Sequence, residues 1–161
     1  MGKNDWDMAY TQTEYIHRVQ QSRISRFTLG DTTDDYEYVV SLVAPVDVQI
    51  RSKALEAARV TVNRILTKRL GDRSFLLKVI PYPHEVVQEH KFMGFTGADR
   101  LSQGMKLAFG RPTGRAARVT AGQAVLTVYV DEEDVEAAKA ALERASKKLP
   151  ITYNLAVVTT A

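Results

Sequence analysis

The chain has no cysteine, which excludes a disulfide framework and any thiolate metal site. A chain without thiols suits a reducing compartment. No apolar run approaches the roughly 18 residues that a membrane-spanning helix needs. The first ten residues, MGKNDWDMAY, lack the apolar core of a secretory signal, so a cytoplasmic protein is expected. Catalytic signatures are missing as well. There is no GxGxxG and no phosphate loop ending in Gly-Lys-Ser/Thr. Ser102 lies in RLSQG, without the first glycine of a nucleophile elbow. The three histidines are His17, His84 and His90, and HEVVQEH (84–90) has neither zincin spacing nor its inverse. Nothing calls for a metal or a cofactor, and no enzyme is expected.

Acids are absent from particular places. Residues 17–27 hold Arg18, Arg23 and Arg26 and no acid, a block of +3. Residues 51–70 hold Arg51, Lys53, Arg59, Arg64, Lys68 and Arg69 against Glu56 alone, +5. Residues 90–119 hold Lys91, Arg100, Lys106, Arg111, Arg115 and Arg118 against Asp99 alone, again +5. The net charge is only +3, so the remaining residues carry −10. Such separation points to an anionic partner more strongly than the total does. The third block also holds Gly94, Gly97, Gly104, Gly110 and Gly114. Glycine and arginine with few acids suit a loop lying against phosphate. Pro112 and Gly114 read as a turn that pushes its tip forward. A protruding loop is therefore expected at about 97–119. Its cations should repel one another until phosphate neutralises them, leaving it mobile in the free protein.

The rest reads as one folded unit. Residues 1–35 are expected to form an arm that orders on the anionic partner, ending in the acidic turn DTTDD (31–35). Residues 36–161 are expected to form a single domain that binds it. Strands are predicted over 36–43 (YEYVVSLV), 46–50, 75–82, 123–130 and 152–159. Leu55, Ala58, Val62, Ile65, Leu66 and Leu70 recur at helical spacing, with Ser52 as N-cap and Gly71 as stop. Val135, Ala138, Leu142, Ala145 and Leu149 mark a second helix, capped by Asp131, running to about 148 and closed by Pro150. Asp99 caps a short helix that Gly110 ends. Helices interleaved with strands predict an α+β two-layer sandwich. Its core should include Leu55, Val62, Ile65, Val79, Val128, Val135, Leu142 and Leu155.

Four stretches resemble one family over residues 10–158. They are YTQTEYI with SRI (10–24), QIRSKALEAARVTVNRILTKRLG (49–71), GADRLSQGMKLAFGRPTGRAARVTAGQ (97–123) and VEAAKAALERASKKLP (135–150). Together they are similar to the archaeal-type large-subunit ribosomal protein L ten-e, the counterpart of bacterial L sixteen. The resemblance implies an α/β-hammerhead fold and no enzymatic activity. It implies binding to large-subunit ribosomal RNA near the peptidyl-transferase centre, in support of transfer RNA placement. Transfer RNA, the small ribosomal RNA of the large subunit and neighbouring ribosomal proteins are further candidate partners, and a membrane is not. Where the family arm carries paired arginines, this chain has Gln12 and Thr13.

The expected RNA-binding residues are thus Tyr10, Arg18, Arg23, Arg26, Arg51, Lys53, Arg59, Arg64, Lys68, Arg69, His90, Lys91, Arg100, Lys106, Arg111, Arg115 and Arg118. Gly97, Gly104, Gly110, Pro112 and Gly114 are the expected loop-turn residues. Tyr10, with Trp6 and Phe92, is placed to stack on unpaired bases. The alternative to a ribosomal constituent is a free RNA-binding or regulatory factor derived from the same family.

Overall fold

The computed structural model describes residues 16, 18–71, 73–89 and 111–160, and the main chain of 9–10. The short helix expected after Asp99, and Trp6 and Phe92, lie outside these residues.

Two antiparallel sheets and two helices make up the described fold. The larger sheet has the order β2 (Thr28–Gly30), β5 (Leu76–Val79), β8 (Ala124–Val130), β3 (Tyr38–Val43) and β9 (Asn154–Thr159). Its register sets Val40 opposite Val128 and Leu42 opposite Leu126, while Leu77 and Val79 face the same two residues from the other side. Directly opposed residues share a face, so these six form one buried apolar surface. Helices α1 (Ser52–Arg69) and α2 (Val135–Ser146) join the same core. Helix α1 contributes Leu55, Ala58, Val62 and Leu66, and α2 contributes Ala138, Ala141, Leu142 and Ala145. The small alanines let α2 pack closely, while each fully buried leucine contributes about 1.5–3 kcal/mol of burial. Of the expected core, Leu55, Val62, Val79, Val128 and Leu142 are buried, and Ile65, Val135 and Leu155 pack partly buried against it.

The smaller sheet has the order β1 (Ala9–Tyr10), β6 (Glu85–Glu89), β7 (Arg111–Val119) and β4 (Val48–Arg51). Two short crossings connect the sheets, 44–47 from β3 to β4 and 120–123 from β7 to β8. They are bonded side by side. Ala44 N–H donates to the Gln123 carbonyl at 3.0 Å, Gly122 N–H to the Ala44 carbonyl at 2.8 Å, and Ala121 N–H to Asp47 Oδ1 at 2.8 Å. Gly122 makes the bend at φ +84°.

The structure corrects several expectations. Residues 111–119 are a strand, so the protruding loop cannot extend through them. Both neighbours of β7 satisfy its backbone: Arg118 pairs with Gln49, and Glu89 pairs with Arg111. Pro112 and Gly114 therefore do not form a turn. Val87 faces Gly114 and Gln88 faces Pro112, so the register shifts and Thr113 is the extra residue of a bulge. A bulge is where a sheet tolerates proline, which has no N–H to donate. Thr113 Oγ1 instead donates to the Val87 carbonyl at 3.2 Å.

The arm also ends earlier than residue 35. Ile16 and Ile24 are buried, and β2 is hydrogen-bonded to β5. The acidic turn is therefore inside the body, where Asp31 Oδ1 accepts from both the backbone N–H and the hydroxyl of Thr33. Those bonds hold the Asp31 carboxyl below the usual carboxylate range. Ser52 is buried and Arg51 takes the N-cap position, because β4 runs straight into α1. Asp131 precedes a single 3-10 turn, Glu132–Asp134, with no side-chain cap bond, and α2 ends at Ser146. Gly71 does stop α1, at φ +93° with its N–H on the Thr67 carbonyl at 3.1 Å.

Candidate nucleic-acid interface

The β4–α1 junction is where the three basic blocks meet. Arg51 closes β4, Ser52 starts α1 and Lys53 points outward one residue later. The main chain before β2 is strapped across β7 beside this junction. Arg115 Nε donates to the Gln20 carbonyl at 2.9 Å, and Gln20 Nε2 donates to the Pro112 carbonyl at 3.4 Å. Arg23 is thereby brought to the same place. The result is a cleft of about 180 Å³ whose cations are Arg23, Arg51, Lys53 and Arg115. Gln20, Gln21, Thr113 and the Gly114 main chain add polar groups, and Glu89 is the one acid of the lining. Four positive charges around one carboxylate, with hydrogen-bond donors between them, suit a chain of phosphates rather than a neutral ligand. Arg23, Arg51 and Lys53 form no ion pair with another described residue.

From the cleft the basic surface continues along α1. Lys53, Ala57, Val60, Arg64 and Lys68 are spaced three or four apart and all exposed, which makes one outward stripe. Arg69 is exposed in the last turn, where a cation also complements the helix dipole. Arg59 does not belong to this stripe. Its side chain is only 12 % exposed and forks onto Glu56, with Nε to Oε2 at 2.9 Å and a second contact between Nη2 and Oε1. This pairing holds the Glu56 carboxyl below its ordinary range and raises the guanidinium. As it stands, Arg59 is already neutralised within the helix.

The remaining cations divide by strand. Arg118 lies on the same face as Gln49 and Arg51, and its Nε is 3.5 Å from Oε1 of the buried Glu85. Arg111 is exposed at the start of β7, opposite Glu89. Arg18 and Arg26 are exposed on the strap and just before β2. For Tyr10 only the main chain, in β1, is described. His17, His90, Lys91, Arg100, Lys106, Gly97, Gly104 and Gly110 lie outside the described residues. His84 is on the extended segment leading into β6. Among the described residues no group of three or more acids and histidines is placed to hold a metal ion, and no helix is long and apolar enough to cross a membrane.

Gln20, Gln21, Thr113 and Glu89 were not expected at this site. Charge identified the cleft's cations, but Gln20, Gln21, Thr113 and Glu89 join them only through the fold, which leaves no compositional signal.

The sequence profile of the family described as "Ribosomal protein L16p/L10e" matches residues 7–156. The protein named "Large ribosomal subunit protein uL16" of Hyperthermus butylicus is 47 % identical over 149 residues, covering 92 % of this chain and 83 % of that one. Its namesake in Staphylothermus marinus is 50 % identical over 142 residues, covering 88 % and 82 %. That of Archaeoglobus fulgidus is 45 % identical over 148 residues, covering 92 % and 85 %. The matched region spans both helices, every residue of the cleft and both sheets except the end of β9, and the chain belongs to the ribosomal protein L16p/L10e family.

Proposed function

We propose that the cleft at the β4–α1 junction grips the sugar-phosphate backbone of large-subunit ribosomal RNA. The protein is a structural constituent of the large ribosomal subunit, in keeping with its family and the names of its relatives. The observation that carries the RNA contact is convergence. Arg23, Arg51 with Lys53, and Arg115 come from three separate basic blocks and meet in one cleft. The α1 stripe of Arg64 and Lys68 extends the same contact.

The finer reading follows from the same family. The fold is of the α/β-hammerhead type, and the protein works without catalysis on cytoplasmic ribosomes. It lies near the peptidyl-transferase centre, with neighbouring ribosomal proteins, the small ribosomal RNA of the large subunit and transfer RNA as further partners. Tyr10, His90, Lys91, Arg100 and Lys106 contact RNA, and Gly97, Gly104 and Gly110 belong to a basic loop ahead of β7.

The test is a double charge reversal, Arg51→Glu with Lys53→Glu, and binding to a transcribed fragment of large-subunit RNA over a range of salt. Each lost phosphate contact removes roughly 0.7–0.9 from the slope of log affinity against log salt. A shallower slope and loss of co-sedimentation with large subunits at high salt are expected. An unchanged slope in the folded variant removes the cleft from the RNA contact.

A further inference from the structure

The segment between β5 and β6, IPYPH (80–84), runs into Glu85 of β6 with alternating burial. Pro81, Pro83 and Glu85 are buried, while Ile80, Tyr82 and His84 are exposed. The prolines fix their own φ angles and have no N–H with which to pair a further strand. The ends are tied as well. Val79 N–H donates to the Phe27 carbonyl at 2.7 Å, Ile80 N–H to the Val125 carbonyl at 3.1 Å, and His84 N–H to the Tyr82 carbonyl at 3.0 Å, which closes a tight turn. The three outward side chains therefore stand on a stiff ridge that is in place before any partner arrives.

Three rings run along this ridge from the core to solvent. Phe27 packs partly buried against the core and stacks on Tyr82, with centroids 5.3 Å apart and planes at 30°. Tyr82 in turn lies 4.6 Å from the His84 ring at 52°. Tyr82 is 45 % exposed and the neighbouring Ile80 46 %. The backbone bond from Val79 to Phe27 continues the β2–β5 pairing, which sets the exposed Arg26 across from Ile80. Arg23, in the cleft, is three residues earlier and so within roughly 10 Å along the chain.

We propose that the Phe27–Tyr82–His84 ladder is a stacking platform for an unpaired base of the RNA whose backbone the cleft holds, with Arg26 on that nucleotide's phosphate. This rests on the RNA reading above. An aromatic ladder that ends in solvent offers a flat face that any base can extend. A protein partner is the weaker reading, because the exposed apolar area lies beside Arg26, only three residues from Arg23 in the cleft built for phosphate. Tyr82 carries no conventional RNA-binding signal, and PYPH reads in sequence only as the irregular end of a strand.

The experiment uses the full chain and a short single-stranded RNA carrying 2-aminopurine, with fluorescence reporting stacking. Wild type and Tyr82→Phe are expected to quench the probe equally. Tyr82→Leu, made together with His84→Leu, keeps apolar side chains against Phe27 but removes both outer rings. It should lose the quenching and bind roughly 5- to 100-fold more weakly, with the salt slope retained. Thermal melts of all three proteins check that each is folded. Equal quenching and affinity in the folded double variant overturns the platform and leaves the cleft reading standing. Normal RNA binding by the double variant with poorer incorporation into large subunits makes the ridge a protein contact, and also overturns it. If wild type itself binds the probe without salt dependence, the RNA reading fails and the platform with it.

Discussion

Arg115 Nε donates a hydrogen bond to the main-chain carbonyl of Gln20 at 2.9 Å, joining residues 95 apart in sequence. The same guanidinium lines the cleft that Arg23 enters from the strap. One side chain thus both supplies charge to the interface and holds the segment that supplies another. Arg115→Ala is expected to weaken RNA binding by more than one phosphate contact, because Arg23 loses its placement. A double-mutant cycle of Arg115→Ala with Arg23→Ala checks this. A coupling of about 0.5–3 kcal/mol is expected, the range for residues that share a partner. Strict additivity would make the strap irrelevant to the interface.

Gly30 is needed for a steric reason. Its φ is +96°, and a Cβ added there would lie 1.9 Å from the Phe75 carbonyl oxygen, which also accepts from Asp31 N–H at 3.1 Å. Backbone meets backbone, so no rotamer change relieves the clash. Gly30→Ala should destabilise the fold by at least about 2 kcal/mol, read as a lower urea midpoint with an unchanged slope. By contrast, Gly114→Ala meets no atom within 4 Å and should be nearly silent.

The helices were legible because their signal is local. Leu55, Val62 and Leu66 recur at three- and four-residue intervals, and Gly71 ends α1 where a left-handed residue is required. Strand β2 was not legible. It has three residues, and its partner β5 begins about 45 residues later. Strand β7 was misread because proline and glycine signal turns locally, whereas a bulge is a property of pairing with β6. The engagement of Arg59 was visible in principle, since Glu56 precedes it by one helical turn. That Arg23, Arg51 and Arg115 share a cleft was not. Charge identified each block, but only the sheet order and the strap bring them together.

The Glu56–Arg59 pair makes an acid-dependent prediction. The Glu56 carboxyl is held below its ordinary value of 4.5, chiefly by hydrogen bonds from Arg59. A depressed carboxyl contributes stability above its unfolded value and loses it as pH falls through the folded one. Wild type should therefore lose this contribution below about pH 4.5, while Glu56→Gln should lack it at neutral pH and converge with wild type in acid. The pair is partly solvated, so the difference near pH 7 should be about 0.3–0.5 kcal/mol. Urea midpoints measured from pH 7 down to pH 3 check it. A constant gap between the two proteins across that range would show that the carboxyl does not titrate differently in the folded state.

Tyr153 makes the opposite prediction at high pH. Its ring is buried in the core cluster, and its hydroxyl is buried without a hydrogen-bond partner among the described residues. Burial pushes the phenol well above its ordinary value of 10.0, because the phenolate would have to form away from water. The folded protein therefore keeps this proton at pH values where the unfolded chain has released it. Stability from this group is intact below about pH 10 and falls as pH rises above it. Tyr153→Phe removes both the ionisation and the unpaired hydroxyl while keeping the ring. Leaving a buried polar group unpaired costs about 1–3 kcal/mol, so the variant should be more stable than wild type already at pH 7. The gap should widen between pH 9 and pH 11 as the unfolded wild-type chain ionises. Thermal melts of the two proteins across that range decide it. A variant that is less stable at pH 7 would mean that the hydroxyl has a partner, such as a buried water, whose bond outweighs its desolvation.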